Sequence, residues 1–121
     1  MNTPTNHAPP IVDVEAMCYA LLKDLGGISV YALDADSQWP FVSETVTIQV
    51  DVHASSKKRA HDRTYQARQR LLRLPFDDTT VSRVVVLSGP LWLPEPDGAP
   101  RYTIRVGVSV RAYRDQQEGM E

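Results

Sequence analysis

The sequence predicts an α+β fold, a mainly antiparallel sheet with two helices packed on one face, in the order helix, strand, strand, helix, strand, strand. Two stretches, residues 14–25 and 60–74, repeat apolar residues at helical spacing. Two others, residues 43–53 and 101–113, alternate apolar and polar side chains as half-buried strands do. A length of 121 residues suits one hydrophobic core and is too short for two.

The first ten residues, "MNTPTNHAPP", hold three prolines and no periodicity, and they read as a flexible arm (1–10) ahead of a single domain over 11–113. Val14, Met17, Cys18, Leu21, Leu22 and Leu25 then form the stripe of an amphipathic helix, with Asp13 as N-cap and Gly26-Gly27 as a left-handed stop. A helix this short is marginal alone, so it must dock on a sheet. "ISVYAL", 28–33, is expected as a short strand entering a polar turn around "DADSQWP". In "SETVTIQVDVH", 43–53, Val46, Ile48, Val50 and Val52 face one way, and Thr45, Thr47, Gln49, Asp51 and His53 the other.

"SSKKRAHDRTYQARQRLLRL" places Ala60, Thr64, Ala67, Leu71 and Leu74 on one helical face, with Pro75 expected to end the helix. The small residues on that face predict a close approach to the sheet. "VSRVVVLSG", 81–89, is a third main strand, and "RYTIRVGVSVRAY", 101–113, a fourth with Tyr102, Ile104, Val106, Val108, Val110 and Ala112 on one face. At ~3.3 Å per residue this last strand spans about 40 Å, so its ends reach or pass the domain boundary unless a bulge at Gly107 bends it. Residues 114–121, ending "DQQEGME", read as a solvated tail.

Hydrophobic content of 42% and charged content of 23% are ordinary for a globular chain, which argues against wholesale disorder. Apolar runs fall far below the ~20 residues that span a bilayer, and the N-terminal stretch resembles no secretion signal, so a soluble, cytoplasmically made protein without membrane contact is expected. Charge is distributed unevenly. Residues 57–73 carry seven cations against Asp62 alone, a local +6, which leaves −8 elsewhere for a chain of net charge −2.

The residue types that carry chemistry are scattered. Cys18, the only cysteine, lies in the apolar stripe of the first helix, where its thiol is expected to be buried and inert. The three histidines have no zinc spacing, and His61-Asp62 are neighbours whose side chains point about 100° apart on a helix. No serine sits in a nucleophile elbow and no glycine run cradles phosphate. Asp34 with Asp36, and Asp77 with Asp78, lie in segments read as turns, where aspartate bonds its own backbone. A non-enzymatic protein with no metal and no cofactor is the expectation.

Two features remain as candidate interaction surfaces. The basic helix is read as a solvated face, or as a surface for an acidic partner or a neighbouring subunit; a nucleic-acid binding module is an alternative, although no aromatic platform is evident beside it. The stretch "GPLWLPEPDGAPRY" contains a loop of about eleven residues, Pro90 to Pro100, which is long for a hairpin connection. Its four prolines lower the entropy of the free loop, so Leu91, Trp92, Leu93, Pro94, Glu95 and Asp97 form a candidate docking site for a partner. Trp92 either docks on that partner or folds back to cap the sheet. On the last strand Arg101, Arg105 and Arg111 share the polar face, and with Arg63, Arg70 and Asp51 they are candidates for a subunit interface or a channel lining.

Three phrases taken together, "IVDVEAMCYALLKDLGGISVY", "VTIQVDVHASSKKRAHDRTYQARQRLL" and "GPLWLPEPDGAPRYTIRVGVSVRAY", resemble the small tail terminator proteins of long-tailed bacteriophages, particularly those infecting actinobacteria. The likeness covers about residues 11 to 113, and rests on a "QVDV" strand entering an alanine-containing helix and a "W-x-P" loop before an "RY" strand. It departs from the family pattern at His53 and in the strongly basic second helix. The resemblance implies a structural virion subunit of a homo-oligomeric ring, usually hexameric, at the head-proximal end of the tail tube. Such a ring would stop tube polymerisation, meet the tail tube protein and a head-completion or stopper protein, and let double-stranded DNA pass through its centre without sequence-specific binding. Another head–tail connector protein is the alternative within phage assembly.

Overall fold

A computed structural model describes residues 13–38 and 43–111, with side chains at 37 and 38 outside the description. The order is α1 (Val14–Leu22), a short 3-10 turn (Lys23–Leu25), β1 (Ile28–Gln38), β2 (Ser43–His53), α2 (Lys57–Asp77), β3 (Val81–Trp92) and β4 (Arg101–Val110). The four strands form one antiparallel sheet in the order β1-β2-β4-β3. This is the α+β arrangement that the sequence predicts. The arm 1–10 and the tail 114–121 lie outside the described residues, as do Ala112 and Tyr113 of the expected last strand.

Both helices cover the same face of the sheet. Val14, Cys18 and Leu22 of α1 and Ala67, Leu71 and Leu74 of α2 pack with Val46, Ile48, Val50 and Val52 of β2 and Ile104, Val106, Val108 and Val110 of β4. Met17, Leu21 and Leu25 complete the α1 stripe at the margin of this core. Asp13 caps α1 by accepting from the Ala16 amide at 3.0 Å. Ser56 caps α2 in the same way through the Arg59 amide at 3.1 Å. Ala60 and Ala67 are fully buried, and the Thr64 hydroxyl donates to the Ala60 carbonyl at 2.6 Å, so α2 presents small or self-satisfied groups at its contact.

Three boundaries differ from expectation, each for a local reason. Strand β1 does not turn at Asp34; it runs on to Gln38 after a bulge at Leu33. The extra residue shifts the alternation by one, so Asp34 and Asp36 point off the core-free face rather than into a turn. Helix α2 runs through Pro75 to Asp77. Within the final turn the missing proline N–H removes a single bond, and the Asp78 amide still reaches the Leu74 carbonyl at 2.9 Å. Strand β3 continues past Gly89-Pro90 to Trp92, because it is an edge strand and proline needs no outward partner there. Its register shifts three times, whereas Gly107 of β4 pairs regularly with Thr47 and Val85, so the bulges lie in β3 and not at Gly107.

Candidate functional site

Because β3 and β4 pair so far along, the expected loop shrinks to a compact hairpin end. The Leu93 amide donates to the Arg101 carbonyl at 3.0 Å, and Arg101 Nε donates to the Leu93 carbonyl at 2.7 Å. The turn is then closed by Gly98 N–H to Glu95 O at 2.7 Å and Glu95 N–H to Ala99 O at 3.0 Å. Pro96 and Asp97 occupy its corner, Asp97 Oδ1 accepts from the Ala99 amide at 3.0 Å, and Gly98 takes the left-handed φ of +91° that closes a three-residue hairpin. The "PDG" turn chemistry is thus realised, inside a shorter loop than predicted.

Two sets of side chains brace this end, one on each face. On the core-free face the Glu95 carboxylate accepts from His53 Nε2 at 2.5 Å and from Arg101 Nη1 at 3.4 Å. Arg101 Nη1 also lies 3.8 Å from Asp51 Oδ2. Asp51 is buried, and its other oxygen accepts from the Thr103 hydroxyl and from Gln49 Nε2. The chain of bonds ends at Arg105, whose Nε donates to Gln49 Oε1 at 3.0 Å. A buried carboxylate is costly unless it is hydrogen-bonded or paired; here Oδ1 accepts two hydrogen bonds and Oδ2 faces the Arg101 guanidinium.

On the helix face Trp92 packs against Tyr102, with ring centroids 5.2 Å apart. Tyr102 is buried and meets the His61 ring at 5.4 Å; His61 in turn meets Tyr65 at 4.9 Å in an edge arrangement. Lys57 Nζ sits 4.7 Å from the centre of the Trp92 ring. Trp92 remains 39% exposed, and flanking Leu91 and Leu93 are exposed by about half. One side of Trp92 therefore covers the end of the core, as the capping expectation has it, and the other faces outward.

The remaining candidates are dispersed. Arg63 donates to the carbonyls of Gly26 at 3.2 Å and His53 at 3.0 Å, which ties α2 to the end of α1 and to β2. Arg70 reaches the Leu21 carbonyl at 3.0 Å and both oxygens of Asp24, at 2.6 and 3.2 Å. Hydrogen bonding from Arg70 holds the Asp24 carboxyl below its usual range and pushes the guanidinium up. Arg111 bonds the Thr79 carbonyl at 2.6 Å, at the far end of the sheet. So Asp51, Arg101 and Arg105 come together with Glu95, while Arg63, Arg70 and Arg111 each bind backbone elsewhere.

Sequence reasoning missed Thr103, Gln49, Tyr102, His61 and Tyr65 as parts of the hairpin brace. The first two share the polar alternation of β4 and β2 with Asp51, which is a readable signal. The aromatic contacts join residues far apart in the chain, and no local pattern announces them. They also correct the expectation that the basic helix lacks aromatic neighbours, since His61, Tyr65 and Trp92 surround its first turns. Burial pushes the Cys18 thiol up to about 12. Among the described residues no group of three or more His, Cys, Asp or Glu is placed to hold a metal ion, and no helix is long and apolar enough to cross a membrane. Compared with known proteins, the chain matches no family model and no curated protein.

Proposed function

We propose that this chain is a structural subunit of a ring, hexameric in its closed form, that ends a phage tail tube at its head-proximal side and joins the tail to the head-completion proteins. One observation carries the reading beyond the sequence resemblance: the β3–β4 hairpin presents Leu91, Trp92 and Leu93 outward from an end already braced on both faces. A binding element ordered in advance loses little entropy on docking, and a half-exposed tryptophan is a frequent energetic anchor of an interface. In this reading the hairpin meets the tube protein or the neighbouring head-completion ring, DNA passes through the ring's centre, and the chain performs no catalysis.

The test is Trp92→Ala. The stack on Tyr102 is worth about 0.5–1.5 kcal/mol, so the variant should fold. Purified variant added to tails lacking this protein should then fail to join them to heads, and negative-stain images should show tubes of uncontrolled length. Loss of folding would instead make Trp92 a cap of the core; normal joining and normal tube length would remove the hairpin from the interface. Loss of attachment to heads without any effect on tube length would favour another head–tail connector.

A second reading, nucleic-acid binding, draws on the aromatic rings beside Lys57. It is weakened by the engagement of Arg63 and Arg70 within the fold and by the pairing of Lys58 with Asp62 and Arg73 with Asp77. It predicts duplex affinity that falls steeply with salt, with Lys57→Ala and Arg59→Ala each lowering the salt slope by about one. Flat salt dependence would dispose of it.

A further inference from the structure

From the face of the sheet that neither helix covers, we infer that the free protein forms a two-fold dimer, the occupant of this face being a second copy of the same chain. The inference does not rest on the ring reading. Tyr31, Val85, Leu87 and Leu91 stand exposed along the two outer strands of this face. Thr45, Thr47, Gly107 and Ser109 form a low floor between them, giving a groove of about 410 Å³ walled by Asp34 and Asp36 on one side and by Arg83, Val85 and Leu87 on the other.

The strand register fixes how a second copy fits. Asp36 pairs with Thr45, Thr45 with Ser109, and Ser109 with Arg83, so one row across the sheet runs from an aspartate on β1 to an arginine on β3. The middle of the row satisfies itself, with the Thr45 and Ser109 hydroxyls 2.8 Å apart. Its two ends are three strand spacings apart, roughly 14 Å, which is beyond the reach of an ion pair within one chain. Among the described residues Arg83, Asp34 and Asp36 have no ion-pair partner.

A two-fold axis parallel to the strands and over the centre of the row places β1 of each copy above β3 of the other. Asp36 of one copy then meets Arg83 of its partner, twice, and Tyr31 of each copy lies over Ser88 of the other, beside Leu87. Aligned sheets pack about 10 Å apart and within about 30°, a rotation that displaces the row ends by roughly one residue, well within the reach of arginine. Edge-to-edge joining is the competing way for copies to pair, and both edges are blunted against it. Glu15 occupies the outward Ala32 amide of β1 at 2.8 Å, and β3 is broken by three register shifts.

The full chain is examined by size-exclusion chromatography with light scattering over a wide concentration range, alone and as Asp36→Arg and Arg83→Asp. Both positions are exposed, so the variants should keep the native circular dichroism and melting temperature, which are measured alongside. The wild type should be dimeric, each single reversal should raise the dissociation constant about a hundredfold through two equivalent like-charge contacts, and a one-to-one mixture of the two variants should restore the dimer. A wild type that is monomeric throughout overturns the inference, as does a dimer or larger assembly indifferent to both reversals, or a mixture that stays monomeric. Joining of tails to heads is read in a separate experiment, so failure of the ring reading leaves this result intact.

Discussion

Gly27→Ala tests the junction on which the helix layer and the sheet meet. Gly27 has a φ of +67°, and a β-carbon there would stand 2.1 Å from the His53 carbonyl oxygen, which is backbone and has no rotamer to change. Three costs add. The left-handed conformation costs about 1–2 kcal/mol for a residue with a side chain. Relief of the overlap must lengthen the 2.8 Å bond from the His53 amide to the Gly27 carbonyl, a loss of about 1 kcal/mol. It must also move the His53 carbonyl away from Arg63, whose charged bond at 3.0 Å contributes about 1.5 kcal/mol or more. The expected destabilisation is about 3–5 kcal/mol, or a fall in melting temperature of roughly 12–20 °C. Gly98→Ala is the control, because its φ of +91° carries the conformational cost while no atom lies within 4 Å of the new carbon. Urea unfolding followed by circular dichroism should separate the two variants by at least about 2 kcal/mol. Equal losses would refute the steric account and leave backbone conformation as the whole effect.

Two further predictions follow from titratable groups. Cys18, whose thiol burial pushes up to about 12, should resist a thiol reagent at pH 8 and react only as fast as the protein unfolds; rapid labelling of the native state would show that α1 opens on its own. Asp78 is held below the ordinary carboxylate range first by the Thr80 hydroxyl and then by the Thr80 amide, so the stability it contributes is present above the unfolded value near 4 and is lost as pH falls through the lower folded value. Asp78→Asn should therefore lower stability at pH 7 and flatten its decline across that acid window. An unchanged acid profile would mean that Thr80 does not favour the ionised form.

What was legible in the sequence divides along a physical line. Stripes with an uninterrupted period, such as 14–25 and 43–53, translate directly into the core because each apolar side chain reaches the same interior. Where a single residue changes the phase, as Leu33 does in β1, alternation continues in space but is broken in the text, and the aspartates beyond it look like turn residues. Proline misled twice for a related reason. At Pro75 and at Pro90 the lost amide falls where the ladder has little or no need of it, in a last helical turn and on a sheet edge. The hairpin loop was recognisable from its prolines and its turn, yet its two braces were not, because they depend on which strands lie side by side and which end of α2 overhangs them.

The same distinction alters the meaning of the basic helix. Seven cations between 57 and 73 look like an electrostatic surface when counted along the chain. In the fold, Arg63 and Arg70 are connectors that occupy the carbonyls left open where α1 ends and β2 finishes, positions that attract cations because unpaired carbonyls gather there. Lys58 and Arg73 bond to acids one turn further along α2. Lys57 lies over Trp92, where it shields part of the ring that the hairpin turns outward. Much of the positive charge thus joins elements of the same fold, and α2 meets the hairpin through its aromatic first turns. There it stiffens the hairpin end from the helix face, as Glu95, Arg101 and His53 do from the other.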